Sequence, residues 1–185
     1  SGDGRLKLEG RGIDWSDAGR TLSIRSQVRA IIVDTGSDDG RTVEIFSDRL
    51  DYGFDSGLIR FTDNVRVVDQ PDFTMRADGI EARMREGASE PDRIVAKGNV
   101  VIDARLKERE ISMTGDTAEY EATLDGGKIA RMPGGAKWTS GFSGGRSDVL
   151  EMDLDKQSFV GTGMVVLSLR ESEDDVPIDV MASSY

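Results

Sequence analysis

The sequence predicts an all-β protein, and three observations carry that prediction. In short segments such as Thr21-Leu22-Ser23-Ile24-Arg25 and Phe73-Thr74-Met75-Arg76-Ala77, apolar and β-branched residues alternate with charged or polar ones, the period-two pattern of a half-buried strand. Twenty-two glycines, many in Asp-Gly or Ser-Gly clusters, separate these segments with turn chemistry. The segments also recur as a unit, two alternating strands joined by a glycine turn. No glycine-free stretch of about a dozen residues carries the i, i+3, i+4, i+7 apolar spacing of an amphipathic helix.

The first copy of the unit, residues 8–31, is the faintest: Gly12-Ile13-Asp14-Trp15 leads through Asp17-Ala18-Gly19 to a strand ending in Gln27-Val28-Arg29. The second is clear, with Ser47-Asp48-Arg49-Leu50-Asp51-Tyr52, a turn at Asp55-Ser56-Gly57, and residues 58–67 closing on Asn64-Val65-Arg66-Val67. The third runs from Met75-Arg76-Ala77-Asp78-Gly79-Ile80 to residues 92–102, which contain Gly98-Asn99-Val100. The fourth starts at Thr114-Gly115-Asp116, turns at Asp125-Gly126-Gly127 and continues through Lys128-Ile129-Ala130-Arg131-Met132. The fifth runs from Arg146-Ser147-Asp148 through Asp155-Lys156 to Gly161-Thr162-Gly163-Met164-Val165. Asp48, Asp78, Asp116 and Asp148 are 30, 38 and 32 residues apart, looser than a rigid solenoid, and are expected to mark a recurring turn or strand edge. Gly98-Asn99-Val100 and its equivalents read as turns into a further strand, so that the sheet grows by hairpins. Residues 34–40, 85–90 and 141–145 are expected as mobile loops.

A chain of 185 residues is of single-domain size and buries roughly 70% of its unfolded surface. Residues 1–170 are expected to form that domain. Residues 171–185 read as a flexible tail, because Glu171-Ser172-Glu173-Asp174-Asp175 places four carboxylates in five positions. The 24 basic and 35 acidic residues give a net charge of -11, which argues against a nucleic-acid partner. The chain has no cysteine and no histidine, so disulfides, Cys/His zinc sites and imidazole-activated nucleophiles are excluded. The longest apolar runs, Ala30-Ile31-Ile32-Val33 and Met164-Val165-Val166-Leu167, are far short of the ~20 residues that span a bilayer. An export signal or anchor preceding Ser1 is compatible with this sequence.

Other constellations reduce to local structure. Asp34-Thr35-Gly36-Ser37-Asp38-Asp39-Gly40 resembles a calcium loop in composition, but counting from Asp34 it places Asp39 where an EF-hand needs glycine and Ile45 where it needs a carboxylate. The carboxylate pairs Asp51 with Asp55 and Asp153 with Asp155 lie beside turn residues and read as turn caps rather than a glycosidase pair. Gly161-Thr162-Gly163 lacks the third glycine and following helix of a dinucleotide site. No metal, cofactor or catalytic group is expected.

The order of these motifs, carried by residues 47–52, Gly57, residues 61–67, 76–82, 92–102, 115–120 and 146–153, resembles the OstA-like repeat of the lipopolysaccharide-transport proteins. The resemblance implies an open, twisted β-jelly-roll whose apolar interior holds lipid A acyl chains. It implies a periplasmic bridge module, LptA-like or the periplasmic part of an LptC-like protein, soluble or tethered by a segment absent here. Implied partners are lipopolysaccharide and other jelly-roll transport proteins joined by edge strands, including head-to-tail copies of the chain. The chain departs from the repeat at residues 86–91 and at residues 132–145, where a Gly-rich stretch with Trp138 replaces Gly-Asn-Val. The residues expected on the lipid-holding face are Leu50, Tyr52, Phe61, Val65, Val67, Phe73, Met75, Ile80, Met84, Ile94, Val100, Ile102, Met113, Tyr120, Ile129, Trp138, Met152, Phe159, Val165 and Leu167. Seven methionines suit a ligand of variable shape. Taken singly, each of these residues reads more readily as packing between two sheets than as a lipid contact, so a ligand-free structural β-repeat protein of the cell envelope is the alternative. Open edges are expected near residues 5–8 and 164–169. Lipid phosphates are expected at the rim, beside whichever Lys and Arg line it.

Overall fold

The computed structural model describes residues 5–33, 42–69, 71–84, 91–106, 109–122, 128–153, 156, 158–170, 172 and 176–183. Among these residues thirteen strands form one antiparallel sheet: β1 (Arg5–Ser16), β2 (Thr21–Val33), β3 (Thr42–Ser47), β4 (Arg49–Gly53), β5 (Leu58–Asp69), β6 (Phe73–Met84), β7 (Pro91–Leu106), β8 (Arg109–Ala122), β9 (Lys128–Ser140), β10 (Ser143–Asp153), β11 (Ser158–Thr162), β12 (Met164–Leu169) and β13 (Ile178–Ser183). Among the described residues there is no helix. The order is β1-β2-β3-β5-β6-β7-β8-β9-β10-β12-β13, with β4 between β2 and β5 and β11 on β10. β3 and β4 together therefore fill one place in the sheet, as do β11 and β12. The chain is all-β, as the alternation predicts, and its architecture is the open jelly-roll that the resemblance implies.

The bend that turns this sheet into a roll lies in mid-strand. Arg49 pairs with Thr62 and Phe46 with Arg66, so the three residues 63–65 face the two residues 47–48, and Asp63 and Asn64 together stand opposite Asp48. Both have left-handed backbones, at φ 62° and 52°. Asn64 Nδ2 donates to Asp48 Oδ2 at 2.7 Å, and the Asp48 amide donates to the Asp63 carbonyl at 3.0 Å. The same device recurs where Gly98 (φ 75°) and Asn99 (φ 49°) in β7 face Asp78 in β6, with Asn99 Nδ2 donating to Asp78 Oδ2 at 2.9 Å. It recurs again at Gly163, where the Met164 amide donates to Asp148 Oδ2 at 2.8 Å. Gly134 and Gly135 take this place opposite Asp116, and Gln27 takes it in β2. These are β-bulges, in which extra residues on one strand oppose fewer on its neighbour and bend it.

Three expectations are corrected here. Asn64 and Gly98-Asn99 are not turns into a third strand, because pairing continues on both sides of them within β5 and β7. The four aspartates mark a line of bends across the sheet rather than turns or edges. Residues 141–145, expected as a loop, are a two-residue turn followed by the start of β10, since Ser143 pairs back to Ser140 and Gly144 to Thr139. Residues 34–40 and 85–90 lie outside the described residues.

The line of bends divides the sheet into two halves that face each other. Ile24, Leu50, Phe61 and Ile80 from one half join Val28, Val67, Val100 and Ile102 from the other in one buried cluster. Burial of this apolar surface at about 25 cal/mol per Å² is the main stabilising term.

Candidate functional site

The inner face is apolar along whole rows of cross-strand neighbours. In the half that contains β4, register links Trp15, Leu22, Tyr52, Ile59, Ala82, Ile94, Tyr120, Ala130 and Met152 in a single row. In the half that contains β3, it links Leu8, Ala30, Ile45, Val67, Met75, Ile102, Met113, Trp138, Gly145, Leu167 and Val180. Neither row contains a charged residue. At the β1 end the inner face ends exposed, with Leu6 49%, Ile13 58% and Trp15 55% accessible. Trp15 meets the ring of Phe54 edge-on at 5.1 Å, and Phe54 lies 4.2 Å from Tyr52. At the other end Leu169, Ile178 and Val180 are exposed.

The twenty residues expected on this face divide into groups. Leu50, Phe61, Val65, Val67, Ile80, Val100, Ile102, Met113 and Met152 are buried in the central cluster. Tyr52, Phe73, Met75, Ile94 and Trp138 are half-buried against it. Tyr120, Leu167, Met84 and Val165 are half-buried as well, Tyr120 in register between Ile94 and Ala130. The side chain of Phe159 lies outside the described residues. Ile129 is on the other face: it stands opposite Glu121 and Asp153 and borders a charged outer groove with Arg93 and Arg131. Alternation explains the misplacement, since Ala130 and Met132 point inward and Ile129 shares its side with Arg131. Sequence reading also missed Ile24, Ile45, Ile59, Met132 and Leu150. Leu150 and Met132 are direct cross-strand partners, a pairing that only register reveals.

The outer face of the β4 half is the electrostatic opposite. Asp51, Arg60 and Glu81 are neighbours in one row, and Glu119, Arg131 and Glu151 in its continuation, so carboxylates and guanidinium groups alternate. Arg60 meets Glu81 at 2.9 Å and Arg131 meets Glu151 at 2.6 Å. Burial opposes ionisation of Asp51, but hydrogen bonds from Ser23 Oγ at 2.6 Å and from Arg49 outweigh it and hold the carboxyl below its usual range. A shallow groove of about 230 Å³ in this face is lined by Glu81, Arg83, Arg93, Val95, Lys97 and Glu119. Such exposed pairs contribute little each, about 0–1 kcal/mol. Asp51 and Asp55 do not form a pair, because Asp55 meets Arg20 and Asp51 meets Arg49. Asp153 caps the amide of Lys156 at 3.0 Å, as a turn residue does. Among the described residues no three acidic side chains converge to hold a metal ion. The sequence 34–40 lies outside them.

One expected edge is closed. β12 pairs with β10 on one side and with β13 on the other, from Met164 opposite Ser183 to Leu169 opposite Ile178, so the last strand of the sheet falls within the segment expected as a tail. At the other end, among the described residues, β1 is the terminal strand and pairs with β2 alone, as expected.

Comparison with known proteins agrees with this architecture. No curated protein sequence matches the chain. The crystal structure of LptH, the LptA homologous periplasmic component of the conserved lipopolysaccharide transport device from Pseudomonas aeruginosa, superposes with a TM-score of 0.51 at 9% identity, covering 98% of this chain and 96% of that one. That likeness is one of fold. The family model described as LptA/(LptD N-terminal domain) LPS transport protein matches residues 44–158, from β3 to the start of β11. The match spans well over half of the sequence, and the chain belongs to this family of lipopolysaccharide-transport proteins.

Proposed function

We propose that the protein is a non-enzymatic periplasmic module that shelters the acyl chains of lipopolysaccharide along its inner face and bridges them to jelly-roll neighbours at its ends. The observation that carries this reading is the apolar inner face that stays exposed where its rows run out, at Leu6, Ile13 and Trp15 and again at Leu169, Ile178 and Val180. A roll that served only as a scaffold would gain by placing polar residues at those margins. Sheltering an acyl chain needs no catalytic group, since each CH2 removed from water contributes about 0.8 kcal/mol. The terminal strand β1 offers unpaired backbone groups to a neighbouring roll, in the manner of β-augmentation. Residues 1–170 would supply the groove, with β13 closing the opposite edge.

Photo-crosslinking tests the reading directly. Probes at Met75 and Ile94, both half-buried and inward, are expected to capture lipopolysaccharide, whereas one at Val95, the outward neighbour of Ile94, is not. Capture at none of the three, or equally at all three, would refute it and favour a filled structural scaffold.

A further inference from the structure

The outer face of the β3 half carries a row of charge that differs from the corresponding row of the other half, and its cation pairs lack even the neighbouring carboxylate that Arg93, opposite Arg83, finds in Glu119. Register across the sheet places Arg66 of β5 directly opposite Arg76 of β6, and Lys137 of β9 directly opposite Arg146 of β10. Val101 and Thr114 occupy the two strands between these pairs in the same row. All four cations are exposed. Among the described residues none of the four is in an ion pair, although Arg66 lies over the ring of Phe46 at 6.0 Å. Like charges directly opposite each other destabilise a sheet. The corresponding outer row of the other half avoids this by alternating Arg60 with Glu81 and Arg131 with Glu151. In a chain of net charge -11, two unrelieved cation pairs in one row are therefore an exception.

We infer that this row is a docking site for an extended, acidic polypeptide segment of a partner. The row is one residue wide. Asp78, Asp116 and Asp148 stand two positions further along β6, β8 and β10, and Asp103 two positions beyond Val101 on the other side. A flat anionic membrane would meet these carboxylates as well as the cations, whereas a single extended strand lies between them. Val101 between the cation pairs and the ring of Phe46 beside Arg66 at the end of the row add apolar surface, which suits a peptide with mixed acidic and apolar side chains better than a polyphosphate. The two cation pairs are four strands apart, about 19 Å at ~4.8 Å per strand. At about 3.3 Å per residue, an extended peptide spans that distance with acidic residues roughly six positions apart, which places them on the same side. The row lies on the face opposite the apolar one, so the site is independent of acyl-chain binding.

A fluorescently labelled peptide of about ten residues alternating Glu and Val, titrated at low salt, is the probe. Arg76→Glu and Lys137→Glu are each expected to weaken it about tenfold, while Arg76→Lys leaves it within about twofold. Each charge reversal turns a like-charge pair into an opposite-charge pair, so the urea midpoint is expected to hold or rise as binding falls. Unchanged peptide affinity in both reversal variants overturns the site, because pairing at the β1 edge would be indifferent to them. A fall in their urea midpoints overturns the claim that the pairs are unrelieved. Tighter binding of tripolyphosphate, or of phosphatidylglycerol vesicles, with the same dependence on Arg76 and Lys137 overturns the assignment to a polypeptide.

Discussion

The hydrogen bonds from Asn64 to Asp48 and from Asn99 to Asp78 give the recurring aspartates a physical role. Each carboxylate clamps a left-handed bulge on the following strand, and the clamp fixes where the sheet bends. The recurrence of these aspartates is legible in the sequence, but their role is not, since Asn and Gly at positive φ serve both hairpin turns and bulges. Only pairing on both sides of the residue separates the two. Gly98 is the sharpest test, because at φ 75° a Cβ there is strained and would also collide with the Asp78 carboxylate. Gly98→Ala is expected to cost about 2 kcal/mol or more, of which 1–2 is the left-handed backbone. Asp78→Ala is expected to cost about 1 kcal/mol for the lost hydrogen bond. In the Asp78→Ala background Gly98→Ala loses the collision with the carboxylate and keeps only the tight contact with the Cβ of residue 78 at 2.9 Å, so a double-mutant cycle by urea unfolding should give a coupling of at least about 0.5 kcal/mol. Strictly additive costs would show that the carboxylate and the glycine do not act together.

At the scale of elements, β13 shows what composition hides. Ile178, Val180 and Ala182 alternate with Asp179, Met181 and Ser183, a period-two pattern broken only by Met181, but it follows an acidic run and reads as part of a tail. Its pairing with β12 covers backbone groups that a bare edge would offer to other chains. The free edge at β1 is different in kind, because Lys7 and Glu9 place charges along it and meet at 2.6 Å. A chain ended at Arg170 is accordingly expected to associate as its concentration rises, through Met164–Leu169, while the full chain associates less at the same concentration. Light scattering over a concentration series checks this. Equal scattering from both would mean that β13 does not protect the edge. Ile129 teaches a related lesson about phase: in Lys128-Ile129-Ala130-Arg131-Met132 the most apolar residue attracts the inward assignment, yet Arg131 settles the alternation the other way.

For the molecule as a whole, the two faces of one sheet do opposite work. The outer face holds charges, most of them paired, with the two cation pairs of one row in the β3 half as the exception. The inner face carries rows of neighbours without a charge from β1 to β10 and beyond. That division was legible in the sequence as alternation. The merging of the two halves into one cluster was not, because it depends on bulges that shift phase in mid-strand: Ser47 and Leu50 both point inward although three residues apart. If the exposed ends of the inner rows serve an acyl chain, affinity must follow the length of the chain rather than its headgroup. Lysophospholipids of increasing chain length, kept below their micellar concentration, are expected to bind about fourfold more tightly for each added CH2 that is fully sheltered, and less where shelter is partial. Trp15 at the exposed end and Trp138 within the row supply the fluorescence signal. Exchanging a glycerol headgroup for choline should then move the affinity less than two CH2 groups do. An affinity that ignores chain length and tracks the headgroup would place binding on the charged outer faces instead, and would leave the apolar rows with packing as their sole role.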